Sequence, residues 1–293
     1  MLSEGVILGF VTAAFWGASP ILYRWGGENL SSVEINFVRT VGAFASVIVI
    51  NFIMNSWKLV MVQLPLWVWG LFCGSLLLGL FIGDSLFFSG IKLIGVGRCS
   101  VISSSYPLTT MLFAWIFLNE KMSFKFLIAG LIIVLGVYLL YGEESPTGNP
   151  KDMAIKGYIL SLGVSLSWGL SLALIKIISD YFSPVSFMTW RVGILLIITL
   201  VSMGFKFRKL SPALKKPKNW FILGIAGTVG IGVSYLTFVR ALQLAPVSQI
   251  GIITGTSPLL TTLLAALFYH EKITLRSGIG SGLIIAGGLL ASV

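Results

Sequence analysis

Charge is what this sequence has least of. Only 10% of its 293 residues are Asp, Glu, Lys or Arg, while 56% are hydrophobic. Soluble domains carry roughly 25% charged residues. With a mean hydropathy of +0.97, too little polar surface exists to cover a globule in water. Cysteine is nearly missing as well. Cys73 and Cys99 lie in or beside apolar runs, so neither a disulfide framework nor a zinc-ligand spacing can be built. The single histidine, His270, closes an apolar run and gives little basis for catalysis or metal binding. No glycine-rich loop is followed by Lys-Ser or Lys-Thr, so ATP is not the expected driver. The opening residues lack the basic segment of a cleaved signal peptide, and the first apolar run is expected to stay as a membrane helix. No cofactor is expected.

What the chain does have is ten apolar runs of the length that carries a helix across about 30 Å of hydrocarbon. They fall at about 4–24, 33–55, 66–91, 98–118, 123–141, 155–177, 184–204, 219–242, 247–269 and 274–292. The runs are two copies of one five-span unit. A shift of 152 sets Gly5 on Gly157, Trp16 on Trp168, Ser19 on Ser171 and Arg39 on Arg191. After the loss of one residue, a shift of 151 sets Gly79 on Gly230, Phe87 on Phe238, Pro107 on Pro258, Glu120 on Glu271 and Gly136 on Gly287. Because five is odd, the second copy must enter the bilayer from the opposite side. The expected architecture is therefore an all-α integral membrane protein of ten transmembrane helices, built as two inverted five-helix repeats. The first repeat spans 1–142 and the second 155–293, with a polar linker at 143–154.

The net charge is +10. Six of the basic residues (Lys206, Arg208, Lys209, Lys215, Lys216 and Lys218) crowd one loop, as expected for a loop facing anionic lipid rather than nucleic acid. The positive-inside rule puts that loop in the cytoplasm and both termini outside.

Trp-Gly-x-Ser occurs twice, as Trp16-Gly17-Ala18-Ser19 and Trp168-Gly169-Leu170-Ser171. An arginine, Arg39 or Arg191, opens the span that follows. Hydroxyl-rich approaches to proline recur as Ser104-Ser105-Tyr106-Pro107 and Gly255-Thr256-Ser257-Pro258, then the turns Asn119-Glu120-Lys121 and His270-Glu271-Lys272. In order, spacing and repetition these motifs resemble the EamA family of the drug/metabolite transporter superfamily, over essentially the whole chain. The resemblance implies a ten-helix fold in a multi-pass cell-membrane protein. Helices one, three, four, six, eight and nine would surround a central substrate cavity, with five and ten peripheral. It also implies export or exchange of small metabolites such as amino acids by a secondary transporter. The family usually keeps both termini in the cytoplasm, against the charge distribution.

Asp84 is the one acid well inside a span. A charge there costs about 2.5–3.5 kcal/mol on insertion scales, so it is expected to face a cavity or a partner. It could carry a coupling proton, oppose a substrate amine, or pair structurally with Lys92 or Arg98. By helical spacing it shares a face with Phe87, Phe88 and Ile91. Trp16 and Trp168 lie near mid-span rather than in the interfacial belt, and with Ser19 and Ser171 they either line a cavity or pack helices. Pro107 and Pro258 each remove a hydrogen bond in mid-membrane, making a hinge or a plain kink. Ser103, Ser104, Tyr106, Thr254 and Thr256 would line the site or satisfy freed groups. The expected substrate cavity is Trp16, Ser19, Asp84, Phe87, Ser104, Tyr106, Trp168, Ser171, Tyr235, Phe238 and Thr254. Arg39, Arg191, Glu120 and Glu271 are expected at membrane edges, capping helices and meeting headgroups. Two rivals are a lipid or lipid-linked carrier translocator on the same fold and an integral-membrane enzyme. The latter is disfavoured because the ten acids form no cluster.

Overall fold

The computed structural model describes residues 2–27, 29–56, 63–94, 96–141, 151–204, 211–269 and 274–292. Lys206, Arg208 and Lys209, the turn His270-Glu271-Lys272 and most of the expected linker lie outside that set. So do the side chains of Arg24, Phe88, Ile91 and Lys92. Among the described residues the chain is helical throughout, as hydrocarbon demands of any open-ended chain that must satisfy its backbone internally. Nine helical runs among the described residues are long and apolar enough to cross a membrane, and Phe124–Leu140 is a shorter tenth. Large apolar side chains such as Phe52, Leu66, Phe221 and Leu267 point outward, where lipid would meet them. The protein is a multi-pass membrane protein.

The first two spans are the helices Glu4–Gly26 and Ser32–Ile53. Ser31 caps the second, accepting from the Glu34 amide while Glu34 accepts from the Ser31 amide at 2.7 Å. The fifth, seventh and tenth spans are the helices Phe124–Tyr141, Pro184–Gly204 and Leu275–Ser292. The sixth, Lys151–Ile178, begins inside the stretch read as linker. Four spans are interrupted, and they pair across the repeat. The third runs as Leu66–Leu76, a π-helical segment Leu77–Gly83, then Asp84–Ile94. The eighth runs as Pro217–Gly227, a π-helical segment Thr228–Val233, then Ser234–Leu244. The fourth breaks between Val96–Ser103 and Tyr106–Leu118, the ninth between Val247–Thr254 and Ser257–Tyr269. Each restarted half-helix carries its proline in the first turn. There the missing N–H is not needed and the ring meets no preceding carbonyl.

Contacts between the halves are reciprocal. A Cβ at Gly5 would meet Leu244 and Ala245, and one at Gly157 would meet Leu93 and Ile94, the equivalent residues. Gly136 packs on Gly280 and Ile284, while Gly287 packs on Ala129 and Ile133, so the fifth and tenth spans lean on one another through small residues. The first span lies against the eighth and ninth, as the sixth lies against the third and fourth. These reciprocal contacts are compatible with an exchange of halves about a two-fold axis. Not every small-residue pair serves packing: a Cβ at Gly70, Gly278 or Gly282 would meet open space. The tightest approach is Gly227, where a Cβ would stand 1.7 Å from the Arg39 carbonyl oxygen. Gly227→Ala should therefore markedly lower the melting temperature of the detergent-purified protein, whereas Gly278→Ala should leave it within about 1 °C. Overpacking at a rigid contact typically costs about 1–3 kcal/mol.

Seven crossings separate the N-terminus from the loop before the eighth span, so those two points lie on opposite faces. Leu2 and Lys216 are both exposed. In a background without Cys73 and Cys99, an impermeant maleimide on intact cells should label Leu2→Cys or Lys216→Cys but not both. The basic loop predicts that Leu2→Cys is the one labelled.

Candidate functional site

At 1.5 Å per residue, Arg39 lies about 10 Å inside the second span and Arg191 about 10 Å inside the seventh, from opposite faces. Both are buried, at 4% and 1% exposure. The expectation that they sit at membrane edges is thus replaced. A lone arginine reaches for the interface, but these have partners inside the bundle. Arg39 Nη2 donates to Asp84 Oδ2 at 2.7 Å and its Nη1 to the Tyr23 hydroxyl at 3.2 Å. Of the expected partners, Arg98 makes no ion pair with Asp84 among the described residues, and the side chain of Lys92 lies outside them; the partner the structure describes is Arg39. A carboxylate and a guanidinium each costly in hydrocarbon neutralise one another here.

Asp84 begins the helix that follows the π-helical segment of the third span. The hydrogen bonds of that segment reach one residue further along the chain than those of an α-helix, which disturbs the backbone ladder around it. The second half takes up the carbonyls in and before it. Trp168 Nε1 donates to the Gly79 carbonyl at 3.2 Å, with Asp84 also within reach of the indole. Ser171 Oγ donates to the Ser75 carbonyl at 2.7 Å. Arg191 adds bonds to the Ser75 hydroxyl at 2.9 Å and the Ser75 carbonyl at 3.3 Å. The guanidinium of Arg191 also lies over the rings of Tyr235, at 4.7 Å, and Phe187, at 5.6 Å. The charge of Arg191 acts on Asp84 through space.

Most of the expected cavity residues do meet, in two related clusters. Trp168 packs on Phe87 at 5.4 Å, beside Asp84, and Trp16 packs on Phe238 at 5.1 Å, beside Tyr235. These are equivalent pairs in the repeat, differing where Asp84 stands opposite Tyr235. Ser171 lies against Gly79 and Ser19 against Gly230, so close that a Cβ at either glycine would come within 2.6 and 2.4 Å of the hydroxyl. Ser19 itself donates back to the Phe15 carbonyl.

Between the clusters, the two broken helices cross. The Tyr106 hydroxyl donates to Thr254 Oγ1 at 3.1 Å, and Pro107 abuts Gly255. The breaks close locally, with Ser104 N donating to the Ser100 carbonyl and Gly255 N to Gly251. Ser103 and Thr256 likewise bond to carbonyls of their own helices. Ser104 is buried beside the break.

Polar groups fasten the faces as well. The Glu120 carboxylate accepts from the Val247 amide at 2.9 Å, the Ser248 amide at 3.2 Å and the Ser248 hydroxyl, so the first half caps a helix of the second. Glu34 accepts from the Ser211 amide and hydroxyl, at 2.6 and 2.8 Å, near the opposite face. Arg39, Tyr23, Ser75 and Arg191 were missed as site residues. Counting the depth of each arginine along its span would have found the pair.

The EamA-like transporter family model matches residues 3–142 and again 155–293. A protein of Archaeoglobus fulgidus described as an uncharacterized transporter is 25% identical over 285 residues, covering 97% of this chain and 96% of its own. The uncharacterized transporter YyaM of Bacillus subtilis is 34% identical over 137 residues, 45% of this chain and 43% of its own. A solved crystal structure superposes with a TM-score of 0.84 at 17% identity, covering 100% of this chain and 99% of its own. That likeness concerns the fold.

Breaking the buried pair should be costlier than removing it. Arg39→Gln and Asp84→Asn should each destabilise the purified protein by about 3–5 kcal/mol, the usual cost of orphaning a buried charge, while the double variant recovers much of the loss. Thermal denaturation of the three variants measures the coupling. Additive losses would mean that the two groups do not depend on one another.

Proposed function

The chain belongs to the EamA-like transporter family and is a membrane transporter; from that premise we propose that it moves small organic metabolites, amino acids first, by alternating access between its two halves. One observation carries this reading. A charged, hydrogen-bonding centre sits at the seam between the halves, in the membrane interior, with Arg39 and Asp84 from one side and Trp168, Ser171 and Arg191 from the other. Any rocking of one half against the other must remake those contacts. The seam is also where aromatic rings, hydroxyls and charges lie together, the mixture that suits an amphipathic solute.

In this conformation Tyr106 packs on Trp168 at 6.0 Å while its hydroxyl bonds Thr254 across the broken helices. Solute entry requires the crossing of the two broken helices to part, and Pro107 and Pro258 stand one turn or less from the breaks as the pivots. Polar attachments bind the half-helices of one repeat to the other, as Glu120 does at Val247 and Ser248. That attachment joins the two repeats, so rocking of one half against the other must remake it as well.

Asp84 is the proposed coupling group. A proton on its carboxyl would release Arg39, and loss of that proton would draw Arg39 back, tying the state of the pair to the pH on the open side. In proteoliposomes, Asp84→Asn should abolish accumulation driven by a pH gradient while exchange of internal for external labelled amino acid continues. Unchanged accumulation at wild-type affinity would remove Asp84 from the mechanism. Loss of both modes would make it a substrate contact.

A further inference from the structure

Positive and negative charges do not balance in the interior. Among the described residues, the level of the two arginines holds two guanidiniums and one carboxylate, Asp84, which Arg39 already binds at 2.7 Å. Glu34 is buried too, but it is engaged near a membrane face by Ser31 and Ser211. Arg191 feels Asp84 only through space, and its direct contacts are neutral: the hydroxyl and carbonyl of Ser75, and the faces of Tyr235 and Phe187. Its Nε, like that of Arg39, is buried with no hydrogen-bond partner among the described residues.

The repeat shows how this arose. Arg39 and Arg191 are equivalent, and so are Asp84 and Tyr235. In the second half an aromatic ring stands where the first half has a carboxylate, and the cation there is met by a ring face instead of a charge. A ring stabilises a cation by electrostatic attraction but cannot neutralise it. An unneutralised guanidinium at this depth is costly, and its planar fork of N–H donors matches a carboxylate. Beside it, Tyr235 packs on Trp16 and Phe238, an apolar wall suited to a carbon skeleton.

We infer that Arg191 is the receptor for a carboxylate on the transported solute, which takes the place that Asp84 holds opposite Arg39. This rests on the transport function proposed above and narrows it. Amino acids and simple organic acids fit, whereas amines and amides lacking a free carboxylate do not. Tyr235 would swing off the guanidinium as the solute arrives, so that binding and opening of the second half are one event.

The test uses the full chain purified in detergent, followed by thermal unfolding. Alanine, leucine and phenylalanine are each offered in three forms: the amino acid, the deaminated acid and the amino-acid amide. For at least one skeleton, both carboxylate forms should raise the melting temperature, and the amide should not. Arg191→Gln should need at least tenfold more of the same acid for an equal shift, and Arg191→Lys, which keeps the charge, should recover part of it. Amides that stabilise as well as acids would overturn the inference, as would wild-type binding by Arg191→Gln. Should that variant fail to fold, the acid-against-amide comparison on the unmodified protein still decides. Short-chain phosphatidylserine serves as a separate arm. Stabilisation by it and by no free acid would transfer the carboxylate to a lipid and refute a solute. Exchange of amides in proteoliposomes, undisturbed in Arg191→Gln, would leave transport standing and remove only the carboxylate. If no form of any skeleton binds or exchanges, the transport of this solute class fails as well.

Discussion

Hydrocarbon offers no competing hydrogen bonds, and the contact between Arg39 and Asp84 is where this fold answers that constraint most directly. Two groups that would each be expelled alone are kept because they meet. The rest of the centre follows from holding them there. Asp84 must emerge from the third span at the right height and angle, which the π-helical segment before it provides. The disturbed backbone of that segment then needs donors, and Trp168, Ser171 and Arg191 provide them from the other half. A charge pair within one half thus commits the second half to dock against it.

The two halves share a scaffold and differ in chemistry. Paired features such as the π-helical segments, the proline breaks and the glycine seats under Ser19 and Ser171 are geometric, and they recur. The differences fall on side chains at the seam: Asp84 against Tyr235, Ser75 against Ala226, Tyr23 against Ile175. Substituting these leaves the packing of helices intact while changing the potential inside the bundle. Such a division lets a duplicated unit keep its motion while its specificity diverges.

How much of this could be read from the sequence varies with how local the cause is. The spans, their duplication and the depth of Asp84 were legible because apolar length and a lone acid are local signals. Trp16 and Trp168 were legible through repetition. The proline breaks were legible because proline lacks a donor wherever it stands. The partner of Asp84 was not, since Arg39 lies 45 residues away in sequence and is brought to it by helix packing. The π-helical segments leave no residue-type signature. Glycines four apart, a spacing that lets helix backbones approach, differ in use: Gly5 and Gly9 seat neighbouring helices, but Gly278 and Gly282 face open space.

The cap that Glu120 places on Val247 and Ser248 has a bearing on how the protein is made. Glu120 enters the bilayer more than a hundred residues before the amides it serves are synthesised, and the carbonyls of Ser75 and Gly79 likewise wait for Trp168, Ser171 and Arg191. The first five spans therefore reach the membrane as an incomplete object, with polar groups turned toward lipid that only the later spans can cover. A ribosome stalled between the repeats would leave behind a half-protein whose seam, with the carbonyls of Ser75 and Gly79, stays uncovered.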